Sequence, residues 1–319
     1  MKILIVQLGR IGDMILATPL FKAIAKKYPD AEIDVIAGRH NYNIIKNNPY
    51  INDIIVHRKP PLYILLNIFR IRRKTYNYLI DPKDHYSNES KYFAWIAKAN
   101  IKIGYNQSKK RIFHHSVPGL SANKNLHYTM RHFQALKPLG IYMPTEIPRP
   151  DLYTSDYSEE YVVRFLAGLT DKPLLTLNIS ASKENKMLQP DKWVKILRKV
   201  DMRDWNTVIS YAPPEKSVAE YIADKSVFPI LFRSRSMSDV ISLVNRSSLL
   251  ITPDTSLVHV ASAFNTPMVG IYSGLNVQFE KFKPLMDDQT IIRASEGDSG
   301  IRTVNEDDVI EVLRNKLKL

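Results

Sequence analysis

The sequence predicts an α/β protein made of two doubly wound, parallel-sheet domains that face a central cleft. Short runs rich in Ile, Val and Leu alternate with longer amphipathic stretches through the whole chain, as in parallel α/β proteins. These runs form two series, separated by a proline-rich stretch at residues 143–150. The 319 residues are also enough for two ordinary domains, each with its own core.

Each series contributes five predicted strands, bounded by turn residues. The domains are expected at residues 1–150 and 151–302, followed by a C-terminal segment at 303–319 that packs back toward the first domain. In that segment a helix is predicted over Val304–Lys318, because acids occupy its first turn and bases its last. The predicted strands are Lys2–Gln7, Glu32–Ala37, Asp53–His57, Tyr78–Asp81 and Lys102–Tyr105, then Leu174–Ile179, Thr207–Tyr211, Phe228–Phe232, Leu249–Thr252 and Met268–Tyr272.

Composition excludes several classes of protein and of site. With 45% hydrophobic and 24% charged residues, the chain is typical of globular rather than disordered proteins. It contains no cysteine, which excludes disulfides, thiolate catalysis and cysteine metal sites. No apolar run approaches the roughly 20 residues that span a bilayer, and the chain enters a strand directly without a cleavable signal pattern. We therefore expect a cytoplasmic protein.

The positive charge is concentrated in the first half of the chain. Residues 1–150 contain 24 lysines and arginines against 9 acids, a net charge of +15, whereas residues 151–319 contain 21 against 23, a net charge of −2. A basic half favours an anionic partner such as a nucleic acid, an acidic membrane surface or a phosphorylated glycan. A basic face that serves only solubility is the alternative.

Ligands of open parallel sheets bind beyond the carboxyl ends of the strands, which directs attention to the loops after those ends. In the first of these loops, Gly9-Arg10-Ile11-Gly12 does not match the dinucleotide pattern G-x-G-x-x-G. The informative residue there is Asp13. It is either an acid that satisfies amides at a helix start, or a general base that points into the cleft.

A later strand leads directly into Asp254-Thr255-Ser256, where small hydroxyl residues open a helix. The free amides and hydroxyls of such a helix start form a ready phosphate site. His259 follows Thr255 by four residues and therefore lies on the same helix face, where its imidazole adds charge or a hydrogen bond. A purely structural histidine is the alternative.

Two further loops carry candidate ligand-binding groups. Ser182 and Lys186 follow the strand that ends at Ile179, and a lysine there neutralises a departing diphosphate as its bond breaks. A solvated loop is the alternative. Glu215 follows the next strand, at the position where a ribose would bind.

Residues 58–74 combine an apolar, helix-like stretch with a basic cluster that includes Arg70, Arg72 and Arg73. Such a segment is typical of helices that lie at an anionic membrane interface, and its arginines also suit phosphate groups. An ordinary domain helix with a solvated basic end is the alternative.

Three motifs resemble glycosyltransferase family 9, the bacterial lipopolysaccharide heptosyltransferases, over nearly the whole chain. The family's Gly-Asp followed by a helix with proline matches Gly12, Asp13 and Pro19. Its Lys-x-Trp-x-x-Glu-x-Trp pattern matches residues 186–193, and its Asp-Thr-Gly-x-x-His-x-Ala-x-Ala pattern matches residues 254–263. Departures from the patterns are Leu188 for the first tryptophan, Asp191 for the glutamate, Ser256 for the glycine, and Tyr272-Ser273-Gly274-Leu275-Asn276 for Phe-Gly-Pro-Thr.

The resemblance implies a GT-B fold and an inverting, metal-independent transferase without a cofactor. The first domain would bind a lipopolysaccharide core acceptor and the second a nucleotide-sugar, most simply ADP-heptose. Asp13 would be the base, Lys186 would support the leaving group, and peripheral contact with the inner membrane would fit the acceptor. No Asp-x-Asp metal motif occurs in the sequence. The implied acceptor-binding residues are Arg10, Arg70, Arg72 and Arg73, and the implied donor-binding residues are Ser182, Glu215, Asp254, Thr255, Ser256 and His259.

Other functions remain open at this point. Because Ser256 and Leu188 alter familiar pocket positions, a family member with a different nucleotide-sugar donor is the first alternative. A non-catalytic protein that binds a nucleotide or glycan on the same scaffold is the second, although a pure binder has no need of a base at Asp13. Nucleic acid is not an expected partner, because the sequence contains no recognised binding module and its second half is slightly acidic.

Overall fold

The computed structural model describes residues 1–58, 60–107, 111–226 and 229–317. The chain divides into two compact units. The first contains Met1–Tyr153 together with Glu280–Lys283, and the second contains the chain from Thr154 to Phe279 and from Pro284 onward. Each unit is built around one six-stranded parallel sheet, which confirms the predicted class of two parallel α/β domains.

The first unit has strand order β3-β2-β1-β4-β5-β6, and every pairing in it is parallel. Leu4 and Val6 of β1 are fully buried because helices cover both faces of such a sheet, which explains the continuous apolar runs. Its strands are β1 (Lys2–Gln7), β2 (Glu32–Gly38), β3 (Asp53–His57), β4 (Thr75–Ile80), β5 (Lys98–Gly104) and β6 (His115–Ser116), and its helices are α1 (Ile11–Lys27), α2 (Pro61–Arg72), α3 (Asn88–Ile96) and α4 (Tyr128–Phe133).

The second unit repeats this arrangement, with order β12-β11-β10-β7-β8-β9. The last residues of α10, from Glu280, belong to the first unit. The helices from Thr154 onward are α5 (Asp156–Leu166), α6 (Pro190–Lys199), α7 (Lys216–Lys225), α8 (Met237–Asn245), α9 (Ser256–Phe264), α10 (Asn276–Phe282) and α11 (Glu306–Leu317), and the strands are β7 (Leu174–Asn178), β8 (Asn206–Ser210), β9 (Ile230–Phe232), β10 (Leu249–Pro253), β11 (Met268–Tyr272) and β12 (Gln289–Arg293).

The predicted strands agree with the observed ones in number and order, apart from the two edge strands β6 and β12, which the sequence analysis missed. β6 has only two residues, and both are exposed, so no apolar run marks it. Strands β4 and β5 begin earlier than predicted because their first residues alternate polar and apolar side chains. Of the predicted strand Phe228–Phe232, Phe228 lies outside the described residues, as does Lys318 of the predicted C-terminal helix.

The C-terminal helix packs within the second unit. Val309, Leu313 and Leu317 of α11 join the core that also contains Trp193 of α6. The expectation that this segment packs back toward the first domain stays a prediction. The helix is amphipathic, and the face that carries these side chains is already committed to the second unit.

Each sheet has a switch point, where neighbouring strands send their connections in opposite directions. In the first sheet it lies between β1 and β4, and in the second between β7 and β10. Loops that leave the carboxyl ends of two such strands border a crevice, which is where ligands bind in open α/β sheets. The loops after β1 and β4, and those after β7 and β10, are therefore the first places to seek a site.

Candidate functional site

Asp13 lies in the first turn of α1, directly after the carboxyl end of β1. Its Oδ2 accepts a hydrogen bond of 2.7 Å from the backbone N–H of Arg10. An acid at this place satisfies an amide that no helical carbonyl reaches, and the helix dipole favours its negative charge. Asp13 is half-buried. The carboxylate is therefore held in a defined position and still has access to a ligand.

The loop under Asp13 has room for this carboxylate only because residue 9 is glycine. A Cβ atom at Gly9 would lie 2.6 Å from Oδ2 of Asp13, far inside normal contact distance. The fully buried Asn41 supports the loop, since its Nδ2 donates to the carbonyls of Gly9 at 2.7 Å and Gln7 at 3.2 Å. The sequence analysis missed Asn41, whose only signal was its place after the carboxyl end of β2.

A buried ion pair lies on the other side of the switch point, after β4. Nη1 of Arg131 donates to Oδ2 of Asp84 at 2.8 Å, and both residues are almost fully buried. Burial alone would raise the pKa of Asp84. Hydrogen bonds from His85 and Arg131 outweigh burial and hold this pKa well below its usual range. Asp84 is therefore charged, and it fixes the guanidinium of Arg131.

Tyr128, on α4, lies close to both Asp84 and Asp13. Burial, and then the negative charge of Asp13, raise the pKa of the Tyr128 hydroxyl, which stays neutral. The ammonium of Lys281 lies 4.7 Å from the centroid of the Tyr128 ring. Burial lowers the pKa of Lys281, as does the charge of Arg131, whereas Asp84 and Asp13 oppose this change. The surroundings of Asp13 thus include charged groups from distant parts of the sequence, which sequence analysis did not connect.

A recess opens at the carboxyl ends of β4 and β5. It is small, with space for about one water molecule (about 10 Å³). Burial raises the pKa of Asp81, which is 2% exposed, although the charge of Lys83 opposes this. The lining offers hydrogen-bonding groups and aromatic rings. The lining residues include Asp81, His85, Tyr86, Ser90, Lys91 and Tyr105.

The structure separates the four arginines predicted to bind the acceptor. Arg10 precedes α1 and is exposed beside Asp13. Arg70 instead donates to both carboxylate oxygens of Asp53, at 2.8 and 2.9 Å. Asp53 is the first residue of β3 and therefore lies at the amino ends of the strands, opposite the edge that carries Asp13. Because α2 runs back toward the amino ends, Arg72 and Arg73 lie there too. The structure does not bring these three arginines together with Asp13.

In the second unit, Lys186 and Asp254 form an ion pair at the switch point. Nζ of Lys186 lies 2.6 Å from Oδ2 of Asp254, and about a quarter of each side chain is exposed. Lys186 ends a short 3₁₀ helix, Glu184–Lys186, after β7, and Asp254 follows β10. Two residues that sequence analysis singled out separately are therefore neighbours, at the place where the fold predicts a ligand.

Thr255 caps the amino end of α9. Its Oγ1 accepts from the backbone N–H of Leu257 at 3.2 Å. The amide of Asn178, at the end of β7, donates to Oγ1 of Thr252 at 2.9 Å and to Oγ1 of Thr255 at 3.4 Å. Asn178, which sequence analysis missed, thereby joins the two strands of the switch point. The result is a row of hydroxyls beside the positive end of a helix dipole.

Glu215 is connected to this row through Ser180. The Ser180 hydroxyl donates to Oε2 of Glu215 at 3.1 Å and accepts from the backbone N–H of Ala212 at 2.8 Å. Ser180 also accepts, through its carbonyl, a hydrogen bond of 3.1 Å from Nδ2 of Asn178. Glu215 is half-buried at the carboxyl end of β8. Glu215 was predicted from the sequence, and the structure shows that Ser180 positions it.

The remaining donor candidates differ in exposure. Ser182 is exposed in the loop after β7, and Ser256 is the half-buried first residue of α9. His259 lies one turn further along α9 and is 6% exposed. The structure thus places Lys186, Asp254 and the start of α9 at one switch point. Ser182 is exposed to solvent in the adjoining loop, and His259 is buried below the surface.

Close packing of a distant loop holds the turn that carries Lys186. The backbone N–H of Ile301 donates to the carbonyl of Asn185 at 2.9 Å. A Cβ atom at Gly300 would lie 2.5 Å from the same carbonyl oxygen, so only glycine permits this approach. The position of Lys186 therefore depends on a segment more than a hundred residues away in the sequence.

The profile of glycosyltransferase family 9 (heptosyltransferase) matches residues 68–307 of this sequence. This span is most of the chain, and it contains β4, β7, β10 and the residues around the Lys186–Asp254 pair. The chain belongs to glycosyltransferase family 9. The resemblance seen in the motifs is thereby confirmed, and the protein is a glycosyltransferase of a heptosyltransferase family.

Relatives and solved structures agree with the family 9 assignment. The chain is 24% identical over 287 residues to lipopolysaccharide heptosyltransferase 3 of Escherichia coli K12, an alignment that covers 84% of this chain and 81% of the relative. The fold is similar to a family 9 glycosyltransferase from Veillonella parvula, with a TM-score of 0.82, 19% identity, and coverage of 99% and 97%. It is also similar to Escherichia coli ADP-heptose lipopolysaccharide heptosyltransferase II, with a TM-score of 0.79, 18% identity, and coverage of 100% and 99%. The GT-B fold is confirmed.

One residue that departs from the family 9 motif, Leu188, lies in the hydrophobic core. Leu188, which replaces the tryptophan of the pattern, is 3% exposed and belongs to the hydrophobic core with Trp193. It therefore does not line the cluster around Lys186. Ser256, the other departure, lies at the start of α9 and does border that cluster.

In the described part of this family 9 chain, neither a membrane-spanning helix nor a cluster of metal-binding side chains occurs. Among its helices, none has both the length and the apolar character needed to cross a membrane. The same residues contain no group of three or more His, Cys, Asp or Glu side chains arranged to hold a metal ion.

Proposed function

We propose that this family 9 protein transfers heptose from ADP-heptose to a lipopolysaccharide core acceptor, with inversion at the anomeric carbon and Asp13 as the general base. The observation that carries the proposal is the Lys186–Asp254 pair at the amino end of α9. The relatives support the substrates, since the names of two of them include lipopolysaccharide heptosyltransferase and one includes ADP-heptose.

The second domain binds the donor. The amides at the start of α9 and the hydroxyls of Thr255 and Ser256 receive the diphosphate, because a capped helix start offers N–H donors and a favourable dipole. The Lys186 ammonium adds a full positive charge. Glu215 accepts a hydroxyl of the ribose, in the direction set by Ser180.

The first domain binds the acceptor. Arg10 and the recess that contains Asp81 lie at the carboxyl edge of the sheet, on the same edge as Asp13. The guanidinium suits an acceptor phosphate or carboxylate, and the polar groups around the recess suit the hydroxyls of a sugar. The protein is cytoplasmic in this proposal and meets a lipid-anchored acceptor at the inner membrane.

The reaction is a single displacement. The Asp13 carboxylate takes the proton of the acceptor hydroxyl, whose oxygen forms a bond to the anomeric carbon as the bond from that carbon to the ADP oxygen breaks. The electron pair leaves with ADP, and its negative charge is balanced by Lys186 and the amides of α9. These groups supply the positive potential without a metal ion, and one displacement inverts the anomeric centre.

Titration calorimetry with ADP, UDP, GDP and dTDP in the absence of metal tests the donor, and turnover with the matching sugar nucleotide follows. Selective binding of ADP is expected. A preference for another nucleotide keeps the transferase and replaces its donor, whereas the absence of all nucleotide binding overturns the proposal in favour of a glycan-binding scaffold.

The Asp13→Asn variant tests the base. Asparagine keeps an oxygen that accepts from the Arg10 N–H, so the start of α1 is preserved while proton transfer is lost. We expect turnover to fall by about 10²–10⁴-fold with ADP affinity unchanged. Unchanged turnover would show that Asp13 only caps the helix. Inversion is tested separately, by NMR assignment of the anomeric configuration of the product.

A further inference from the structure

Helix α2 exposes large apolar side chains that an ordinary domain helix would bury. Its buried side carries Ile71 and also Asn67, whose Nδ2 donates to the carbonyl of Val56 at 3.0 Å. Four large apolar side chains point to solvent instead: Leu62, Leu65, Leu66 and Phe69, which are 65%, 64%, 49% and 62% exposed. We call these four residues the apolar face of α2. Their spacing of three and four residues places them in one stripe.

Basic side chains border the apolar face, and acids are absent from this stretch of sequence. Residues 58–74 contain six lysines and arginines and no Asp or Glu. The guanidinium of Arg73 lies 5.5 Å from the Phe69 ring centroid, and that of Arg58 lies 4.9 Å from the Tyr63 ring centroid. Arg72 is exposed as well. Apolar side chains flanked by cations are typical of helices that lie flat in an anionic lipid interface.

The neighbouring helix adds a tryptophan to this side of the domain. Trp95 of α3 is 78% exposed. Helices α2 and α3 contact each other, and Ile71 and Phe93 from the two helices share one core cluster, so both helices cover the same face of the sheet. Tryptophan favours the boundary between lipid and water, because its ring is apolar and its N–H is polar.

We propose that the apolar face of α2, together with Trp95, docks the first domain on a bilayer that contains anionic lipids. The 12 residues of α2 are about 18 Å long, too short to span roughly 30 Å of hydrocarbon, so the helix lies in the interface. A second copy of this chain is the less favoured occupant. A symmetric contact through α2 would bring together two copies of residues 58–74, each with six cationic side chains and no acid of its own.

The docked face holds the first domain at the surface where a lipid-anchored acceptor lies. This purpose rests on the proposed function, whereas the docking itself does not. It also gives Arg72 and Arg73 a role that does not require them to reach Asp13. Arg70, which pairs with Asp53, contributes less, because its charge is partly balanced.

Sedimentation with vesicles tests the surface. The full chain should bind vesicles of phosphatidylcholine with phosphatidylglycerol, bind pure phosphatidylcholine weakly, and lose binding as salt is added. The double variant Leu65→Gln, Phe69→Gln should reduce binding at least about tenfold, since two inserted side chains are lost. Leu120→Gln is the matched control, because Leu120 is 51% exposed elsewhere in the same unit. Equal binding by the double variant and the control would overturn the proposal.

Fluorescence gives a second, local measurement. The chain has three tryptophans. Trp193 is fully buried and Trp205 packs half-buried against the core of the second unit, so the exposed Trp95 should dominate any change in emission on vesicle addition. A blue shift with anionic vesicles that disappears in Trp95→Phe supports the proposal. A shift that persists in Trp95→Phe contradicts the assignment of Trp95 to the surface.

Two parallel measurements separate this surface from the proposed function and from self-association. The double variant should keep ADP affinity and transfer to a soluble, deacylated acceptor. If ADP binding and transfer are absent in every protein while vesicle binding is lost only in the double variant, the surface stands and the proposed function falls. If sedimentation equilibrium without vesicles shows a dimer that only the double variant dissociates, a second copy covers this face and the membrane proposal is wrong.

Discussion

Lys186 donates from Nζ to Oδ2 of Asp254 at 2.6 Å, across 68 residues of sequence. Both residues follow strands of the switch point, so the fold itself places the cation at the amino end of α9. Asp254 keeps the lysine in one orientation before a ligand arrives. A positioned charge costs little reorganisation when negative charge develops on a leaving group.

Removal of the Lys186 charge should slow transfer strongly. In the proposed reaction the ammonium balances charge that grows on departing ADP, so Lys186→Gln is expected to lower kcat about 10²–10³-fold. Steady-state kinetics measures this effect. Lys183→Gln is the control, because Lys183 lies in the same loop and is exposed. Equal losses in the two variants would mean that only the general positive potential of the loop matters.

Asp254 should act through Lys186, which a double-mutant cycle can show. Asp254→Asn is expected to raise the donor KM and lower kcat by less than Lys186→Gln does, because the ammonium remains but loses its fixed position. When Asp254→Asn is added to the Lys186→Gln variant, it should have little further effect, since partners in contact are not additive. Strictly additive effects on kcat/KM would show that the carboxylate has an independent role.

Gly9→Ala should impair catalysis without loss of the fold. Its new Cβ would meet Oδ2 of Asp13 at 2.6 Å and push the carboxylate away. A displacement on the order of 1 Å costs about 10²-fold in rate when it affects a reacting group. Turnover and ADP affinity should be measured together, and only turnover should fall.

Gly38→Ala, at the end of β2 beside this loop, is the control. A Cβ atom at Gly38 would come no closer than 3.5 Å to Asn41, which is ordinary contact. Turnover of Gly38→Ala should therefore stay close to that of the wild type. If both alanine variants lose activity alike, catalysis is sensitive to any added side chain near this end of the sheet, and the specific contact with Asp13 is not the cause.

Leu188→Trp, which restores the residue of the family motif, should destabilise the second domain. Leu188 is 3% exposed in a packed core that already contains the fully buried Trp193. Overpacking of such a site costs about 1–3 kcal/mol, whereas Leu188→Met should cost less than about 1.5 kcal/mol. Thermal unfolding of the three proteins measures this difference. A stabilised Leu188→Trp variant would reveal space at this position that the structure does not show.

Stability should fall as the pH drops below neutrality, in part through His127. Burial is the main reason that the pKa of His127 is lowered to about 4. Nδ1 of His127 accepts from the Thr129 N–H at 3.3 Å, which fixes the hydrogen on Nε2, where it is donated to the Lys283 carbonyl at 3.2 Å. The folded protein therefore holds the neutral ring, and protonation would break the cap of α4.

The sign of this effect follows from proton binding. Between about pH 6.5 and pH 4 the unfolded chain binds a proton at His127 that the folded chain does not, so the stabilisation is complete above 6.5 and is lost as the pH falls toward 4. The contribution is roughly 3 kcal/mol. Urea unfolding across this range should show a shallower pH dependence in His127→Asn than in the exposed His115→Asn control. Identical slopes would exclude His127 as a source of the acid sensitivity.

Much of this architecture was predictable because its signals are local. Apolar runs, turn residues and the proline-rich stretch between the domains are properties of short segments. They predicted ten strands, in their order along the chain, divided between two domains. The rule that ligands bind at the carboxyl ends of parallel strands then selected the loops of Asp13, Lys186, Glu215 and Asp254. The motif of residues 254–263 identified the family for the same reason, since its residues are neighbours in the sequence.

Local patterns were therefore enough to predict the fold class, the family and the loops proposed to bind substrates. Long-range packing was needed to show that Lys186 pairs with Asp254, that Asp84 holds Arg131, that Asn41 supports the loop of Asp13, and that α2 turns its leucines outward. Each of these depends on which side chains meet after strands far apart in the chain pair with one another. Periodicity shows that a helix has an apolar face, but only the packing of its neighbours decides whether that face is covered.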